Sequence, residues 1–168
     1  MIEIKLADLT HVKGIQDVCS RGYRATYPGL RSEDYIEQVV EEFYNLERIT
    51  KEVTEHSRHW GGYFVAVENG QVIGAAGGGM ESDTLGELYV LYLDPNRRGE
   101  GIGTLLLDAV TAQQKEWGAT KQRVAVAKDN QKAIPFYEAR GFRFLSEKES
   151  YFKPEQEGYV CLHYIREI

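Results

Sequence analysis

Cysteine, methionine and tryptophan occur only twice each, and proline four times, in 168 residues. Cys19 and Cys161 stand far apart in no metal-like spacing. That argues against a disulfide scaffold or a cysteine-based zinc site and predicts buried thiols in a reducing compartment. His11, His56, His59 and His163 form no ligand pattern. His56 and His59 are three apart on a predicted helix, but no carboxylate or cysteine joins them, and no metal is expected. No apolar run of about 18 residues exists, so no membrane partner is expected. The opening MIEIKLADLT has neither the basic nor the apolar region of a secretory leader, so a cytoplasmic location is expected. Basic charge is in deficit too, 20 Lys and Arg against 26 Asp and Glu. A net charge of −6 leaves no general basic face for nucleic acid and suits a cationic small partner without identifying it. Repeats and low-complexity linkers are also missing.

What is present describes an ordinary globular chain, 42% hydrophobic and 27% charged. One domain over residues 1–168 is expected, and a chain of that size buries about 70% of its unfolded surface, enough for a core without staples. Ile2 to Leu6 alternates as a strand. Asp8 or Thr10 can cap a helix with Val12, Ile15, Val18 and Cys19 on one face, broken by TYPGL at Thr26 to Leu30. Ser32 precedes a second helix through Phe43, and a third is expected from about Leu46 to Trp60. Two apolar runs flanking Asn69-Gly70 predict a hairpin. GELYVLYL is a strand, and Ile102, Leu105, Leu106, Ala109 and Val110 line a helix ending near Trp117-Gly118. QRVAVA is a strand. NQKAIPFYEARGF is a short helix with Asn130 as cap and Gly141 as stop, and strands near Phe142 to Tyr151 and Tyr159 to Ile165 close the chain. The order makes a mixed α/β domain whose strand-helix-strand unit, about 87 to 126, is parallel and right-handed.

Gly99, Gly101 and Gly103 fall where a strand ends and a helix begins. Glycine weakens a helix, so another demand must place it there. The first turn of a helix presents unpaired N–H groups and a positive dipole end, and glycines let ligand oxygens approach them. The loop is therefore a phosphate cradle, with Arg97 and Arg98 adding charge and fork-shaped donors. The dinucleotide fingerprint fails because Thr104 stands where a third glycine belongs. The nucleoside-triphosphate loop fails because no lysine follows.

The stretch RRGEGIG resembles the Q/R-x-x-G-x-G/A motif of the GNAT N-acetyltransferase family, with Arg98, Gly101 and Gly103 at its defining places. Downstream, NQKAIPFYEARGF resembles that family's second signature at Asn130, Ala133, Phe136, Tyr137, Gly141 and Phe142. The element order is similar to the whole family fold. The resemblance implies a mostly antiparallel sheet of about seven strands with a central parallel pair, flanked by helices. It implies acetyl-CoA as acyl donor, held at the pyrophosphate by Arg98, Gly99, Glu100, Gly101, Ile102, Gly103 and Thr104. Leu91, Tyr92 and Leu93 would pair with the pantetheine arm as with an added strand. Asn130 would bond the pantetheine side, and Tyr137 would bind there and return a proton to the departing thiolate.

The reaction so implied is attack of a neutral primary amine on the thioester in a ternary complex. An alkylammonium of pKa about 10.4 must first lose a proton, at a cost of about 4.6 kcal/mol at pH 7. Glu87, an acid in an otherwise apolar strand, is the candidate base, since burial can raise its pKa toward the useful range. Family members acting on ribosomal protein N-termini often carry a Glu where this chain has Ala125, so that substrate is not expected. The acceptor would meet the first two helices and last two strands, near Tyr23, Tyr27, Glu33, Asp34 and Glu37. A small-molecule amine, polyamine-like in the narrower version, is the expected acceptor. A protein or peptide amine, or a non-catalytic acyl-CoA sensor, stands as the alternative. Monomer and homodimer both fit.

Overall fold

The computed structural model describes residues 1–149 and 159–168. Its sheet comprises β1 (Glu3–Leu6), β2 (Tyr63–Glu68), β3 (Gln71–Met80), β4 (Leu85–Leu93), β5 (Lys121–Ala127), β6 (Arg143–Glu149) and β7 (Val160–Glu167). The helices are α1 (Val12–Thr26), α2 (Glu33–Phe43), α3 (Leu46–Thr54), α4 (Ile102–Glu116) and α5 (Ala133–Glu138). The seven strands lie in the order β1-β2-β3-β4-β5-β7-β6. All neighbours are antiparallel except β4 and β5. The expected seven-stranded mixed α/β fold with its central parallel pair is therefore present.

Local chemistry sets most boundaries. Asp8 caps a 3₁₀ turn, Leu9–His11, that leads into α1. The side chains of Ser32 and Asn45 cap α2 and α3 by accepting from Tyr35 N and Arg48 N. Asn69 (φ 51°) and Gly70 (φ 78°) form the tight hairpin turn between β2 and β3. Tyr151, assigned above to the sixth strand, lies outside the described residues.

Three expectations need correction. The third helix stops at Thr54, and Glu55 is extended at φ −117°, ψ 104°. Residues 57–61 instead run along β3, joined by Gly61 N to Gly78 O at 2.8 Å and Met80 N to Arg58 O at 2.6 Å. That approach needs Gly79, where a Cβ would sit 1.9 Å from the His59 carbonyl oxygen. His56 and His59 are thus not on a helix, and their rings bond the carbonyls of Val53 and Met80. On α4 the buried face is Ile102, Leu106, Leu107 and Val110, while Leu105 is exposed. Of the two thiols, Cys19 is fully buried, and burial pushes its pKa up; Cys161 is only partly covered.

Helix α4 covers one sheet face, packing Ile102, Leu106, Leu107 and Val110 on Leu88, Val124 and Val126. Helices α1 and α3 cover the other, packing Ile15, Val18, Ile49 and Val53 on Val65, Ala75 and Val90. Leu88 and Val90 should share a face, being two apart on one strand. They do not, because Gly77 pairs with Val90 while Gly78 pairs with Leu88, leaving Tyr89 as an extra residue. This bulge turns β4 out of register. Pairing of β4 with β5 runs from Leu85–Lys121 to Leu88–Val124 and stops there. Gln114 donates to the Glu87 carbonyl at 2.9 Å, satisfying backbone just before the bulge.

Candidate active site

The end of β4, the start of α4 and the β5–α5 connection enclose a cavity of about 580 Å³. Gly99 (φ 81°) and Gly101 (φ 80°, ψ 6°) turn the chain through left-handed backbone, with Gly101 capping α4. A Cβ at either would meet nothing within 4 Å, so both face open space. Gly103 has a different reason. It is helical, and a Cβ there would lie 3.2 Å from the Phe136 ring, so it lets α5 close on α4. The N–H groups of the first α4 turn have no earlier carbonyl to bond, and Ile102, Gly103 and Thr104 line the cavity.

The two arginines before the loop separate. Arg97 bonds both Glu68 oxygens at 2.8 and 3.2 Å and both Glu100 oxygens at 2.8 and 2.9 Å. It is spent on that network, and Glu100 with it; neither lines the cavity. Arg98 does. A third cation, not singled out above, stands opposite. Arg140 donates to Thr104 Oγ1 at 2.9 Å through Nε and to the Phe136 carbonyl at 2.7 Å, and lies 3.8 Å above the Phe136 ring. Its signal in the sequence is the four-residue spacing from Phe136, close enough for the turn after α5 to bring the two side chains together. Lys132 completes a basic rim of Arg98, Lys132 and Arg140 around a loop of donors. Such a surface holds multiply charged anions.

Where β4 and β5 part, a narrow slot of about 100 Å³ opens, lined by Leu88 to Tyr92, Val124 to Ala127, Tyr27, Asn130, Ala133 and Tyr137. Leu91, Tyr92, Asn130 and Tyr137 line both the slot and the larger cavity, and Leu93 the cavity alone. Asn130 Oδ1 caps α5 through Ala133 N at 3.1 Å and its side chain bonds Tyr27. Tyr137 is buried among Phe136 and Phe142, and burial pushes its hydroxyl up, so it stays a protonated donor. Tyr27 is likewise pushed up to about 12 by burial, with Arg31 opposing.

Glu87 lies before the bulge and lines neither cavity. It pairs with Arg123, its register partner on β5. Burial raises its pKa, and the Arg123 hydrogen bond works against that rise. Across β5, His163 is the register partner of Ala125, and among the described residues its buried Nδ1 has no hydrogen-bond partner. Burial lowers its pKa, with Arg123 and Lys148 adding to the effect. On the acceptor side, Tyr23 and Tyr27 are buried, and Glu37 is tied to Arg24 by two bonds at 2.9 and 2.8 Å. Glu33 and Asp34 are exposed in the first turn of α2.

Among the described residues no group of His, Cys, Asp and Glu could hold a metal, and no helix is long and apolar enough to cross a membrane.

Residues 23–142 match the sequence model of the acetyltransferase (GNAT) family. The chain is 29% identical over 144 residues to a spermidine N(1)-acetyltransferase of Thermoplasma acidophilum, covering 84% of this chain and 88% of that one. It is 31% identical over 87 residues to a mycothiol acetyltransferase of Geodermatophilus obscurus, covering 48% and 28%. Among solved structures it is similar to the PaiA N-acetyltransferase of Thermoplasma acidophilum in complex with coenzyme A, with a TM-score of 0.81 at 22% identity over 100% of this chain and 99% of that one. A ribosomal-protein-S18-alanine N-acetyltransferase of Escherichia coli superposes with a TM-score of 0.69 at 18% identity, over 100% and 94%.

Proposed function

The chain belongs to the acetyltransferase (GNAT) family, and from that premise we propose that it transfers an acetyl group from acetyl-CoA to a primary amine of a small molecule, with a polyamine as the first acceptor to test. The observation that carries this reading is the continuity of two spaces. A glycine-turned helix start with a basic rim opens into a slot where the parallel strands part, and Tyr137 lines both.

The residues fit the donor. Open space beside Gly99 and Gly101 admits phosphate oxygens to the α4 N–H groups, and Arg98, Lys132 and Arg140 supply counter-charge. Beyond Leu88 the β5-facing backbone of β4 has no strand partner among the described residues, so an extended arm can bond it as an added strand. The thioester supplies the electrophilic acyl carbon. Tyr137, held protonated by burial, donates its hydroxyl proton to the thiolate that leaves as the carbon–sulfur bond breaks. Glu87, its pKa raised from the ordinary value by burial, takes the amine proton through intervening water as the new carbon–nitrogen bond forms.

The polyamine version rests on the 29% identity to a spermidine N(1)-acetyltransferase over most of both chains and on the acidic balance of this one. Release of free thiol from acetyl-CoA tests it, measured with spermidine, amino acids, aminoglycosides and short peptides. Turnover with spermidine supports the full reading. Turnover with peptides alone would move the acceptor to protein amines. Tight coenzyme A binding with no turnover on any amine would favour an acyl-CoA sensor.

A further inference from the structure

Arg31 is an anomaly among the charged side chains. Its side chain is 4% exposed, in the turn between α1 and α2, and it lines neither the cavity nor the slot. Its Nη1 donates to both Asp129 oxygens, at 2.9 and 2.7 Å, and to the Leu30 carbonyl at 3.0 Å. The guanidinium lies between two rings, 5.1 Å from the centre of Tyr27 and 4.0 Å from that of Tyr159. Burying a guanidinium is costly unless it is paired, so this position serves some arrangement that the ion pair enforces.

The groups it joins belong to different walls. Leu30 and Tyr27 come from the α1–α2 turn; Asp129 lies in the β5–α5 loop, directly before Asn130. Asn130 in turn bonds Tyr27 and caps α5, the helix that carries Tyr137. We propose that Arg31 is a positioning residue whose ion pair with Asp129 locks the α1–α2 turn to the β5–α5 loop and so holds Asn130 and Tyr27 at the junction of cavity and slot. The proposal rests on the reading of the cavity as a coenzyme A site.

Asp129 makes the test sharp, because two physical accounts predict opposite signs. Asp129 lines a cavity rimmed by cations, and its side chain is 42% exposed. By simple electrostatics its carboxylate repels bound phosphates, so Asp129→Asn should tighten coenzyme A. As a lock its loss frees the loop carrying Asn130, so the same substitution should weaken coenzyme A.

The experiment is calorimetric titration with coenzyme A of the unsubstituted protein, Asp129→Asn, Arg31→Met and the double variant. Each is kept well below its measured melting temperature. A purely structural role lowers melting temperature and leaves affinity of the folded protein alone. The lock predicts roughly 10-fold weaker binding in each single variant and no further loss in the double, because coupled residues are non-additive. Equal or tighter binding by Asp129→Asn overturns the lock, as does a double variant in which both losses multiply. Failure of Arg31→Met to fold leaves the Asp129→Asn sign as the deciding result. Failure of the unsubstituted protein to bind coenzyme A overturns the reading of the cavity instead, and the lock falls with it.

Discussion

In the reaction proposed above, Tyr137 and Glu87 would divide the chemistry between a hydroxyl that burial keeps protonated and a carboxyl that burial makes more basic. Tyr137→Phe removes one oxygen from a packed ring. Turnover should fall about 10- to 100-fold while coenzyme A affinity stays within about twofold, since a thiolate of pKa near 8.5 leaves with modest help. Steady-state kinetics beside a binding titration checks this. For Glu87 the sign follows from its proposed role as proton acceptor. Activity needs the ionised form, so kcat/KM should rise with pH through a pKa raised from the ordinary carboxylate value, and Glu87→Gln should abolish that acidic limb. A limb that persists in the variant would mean another group takes the proton. His163, across β5 from the slot, would then be the next residue to substitute.

On α4, a methyl at Gly103 would lie 3.2 Å from the Phe136 ring of α5 rather than in open space. Gly103→Ala should cost about 1–3 kcal/mol in urea unfolding, as overpacking does, and should lower turnover by displacing the helix that carries Tyr137. On α3, Glu52 is half-sunk beside Tyr63, and burial raises its pKa against the pull of Arg48. A carboxyl whose folded pKa lies above its unfolded one favours folding below the unfolded pKa and loses that contribution as pH rises through the folded pKa. Glu52→Gln should therefore gain stability relative to the unsubstituted protein as pH rises through that range. Urea midpoints from acid to neutral pH give the comparison.

Across the whole molecule a net charge of −6 coexists with a cationic rim at one cavity. Coenzyme A binding should weaken with added salt, and Arg140→Met should lose about 5- to 10-fold in affinity at low salt and much less at 1 M. The hairpin at Asn69-Gly70, the cap at Asn130 and the glycine turn at Gly99 and Gly101 were legible in the sequence because each depends on neighbours within four residues. The motifs around Arg98 and Tyr137 were legible for the same reason. The end of α3 was not, since it depends on glycines of β3 more than twenty residues away. Nor was the parting of β4 from β5, which depends on a bulge at Tyr89 that only cross-strand pairing defines. Arg97 and Arg98 are adjacent in the chain, yet Glu68 claims one and leaves the other to the cavity. Arg31 and Asp129 are 98 residues apart and meet only in the folded chain. The sequence by itself thus determined the element types, the family and the glycine turn at the start of α4, which are encoded in short-range spacing. Tertiary structure alone decided which charges are free, where the slot opens and which loops are tied, because burial and pairing are properties of surfaces brought together.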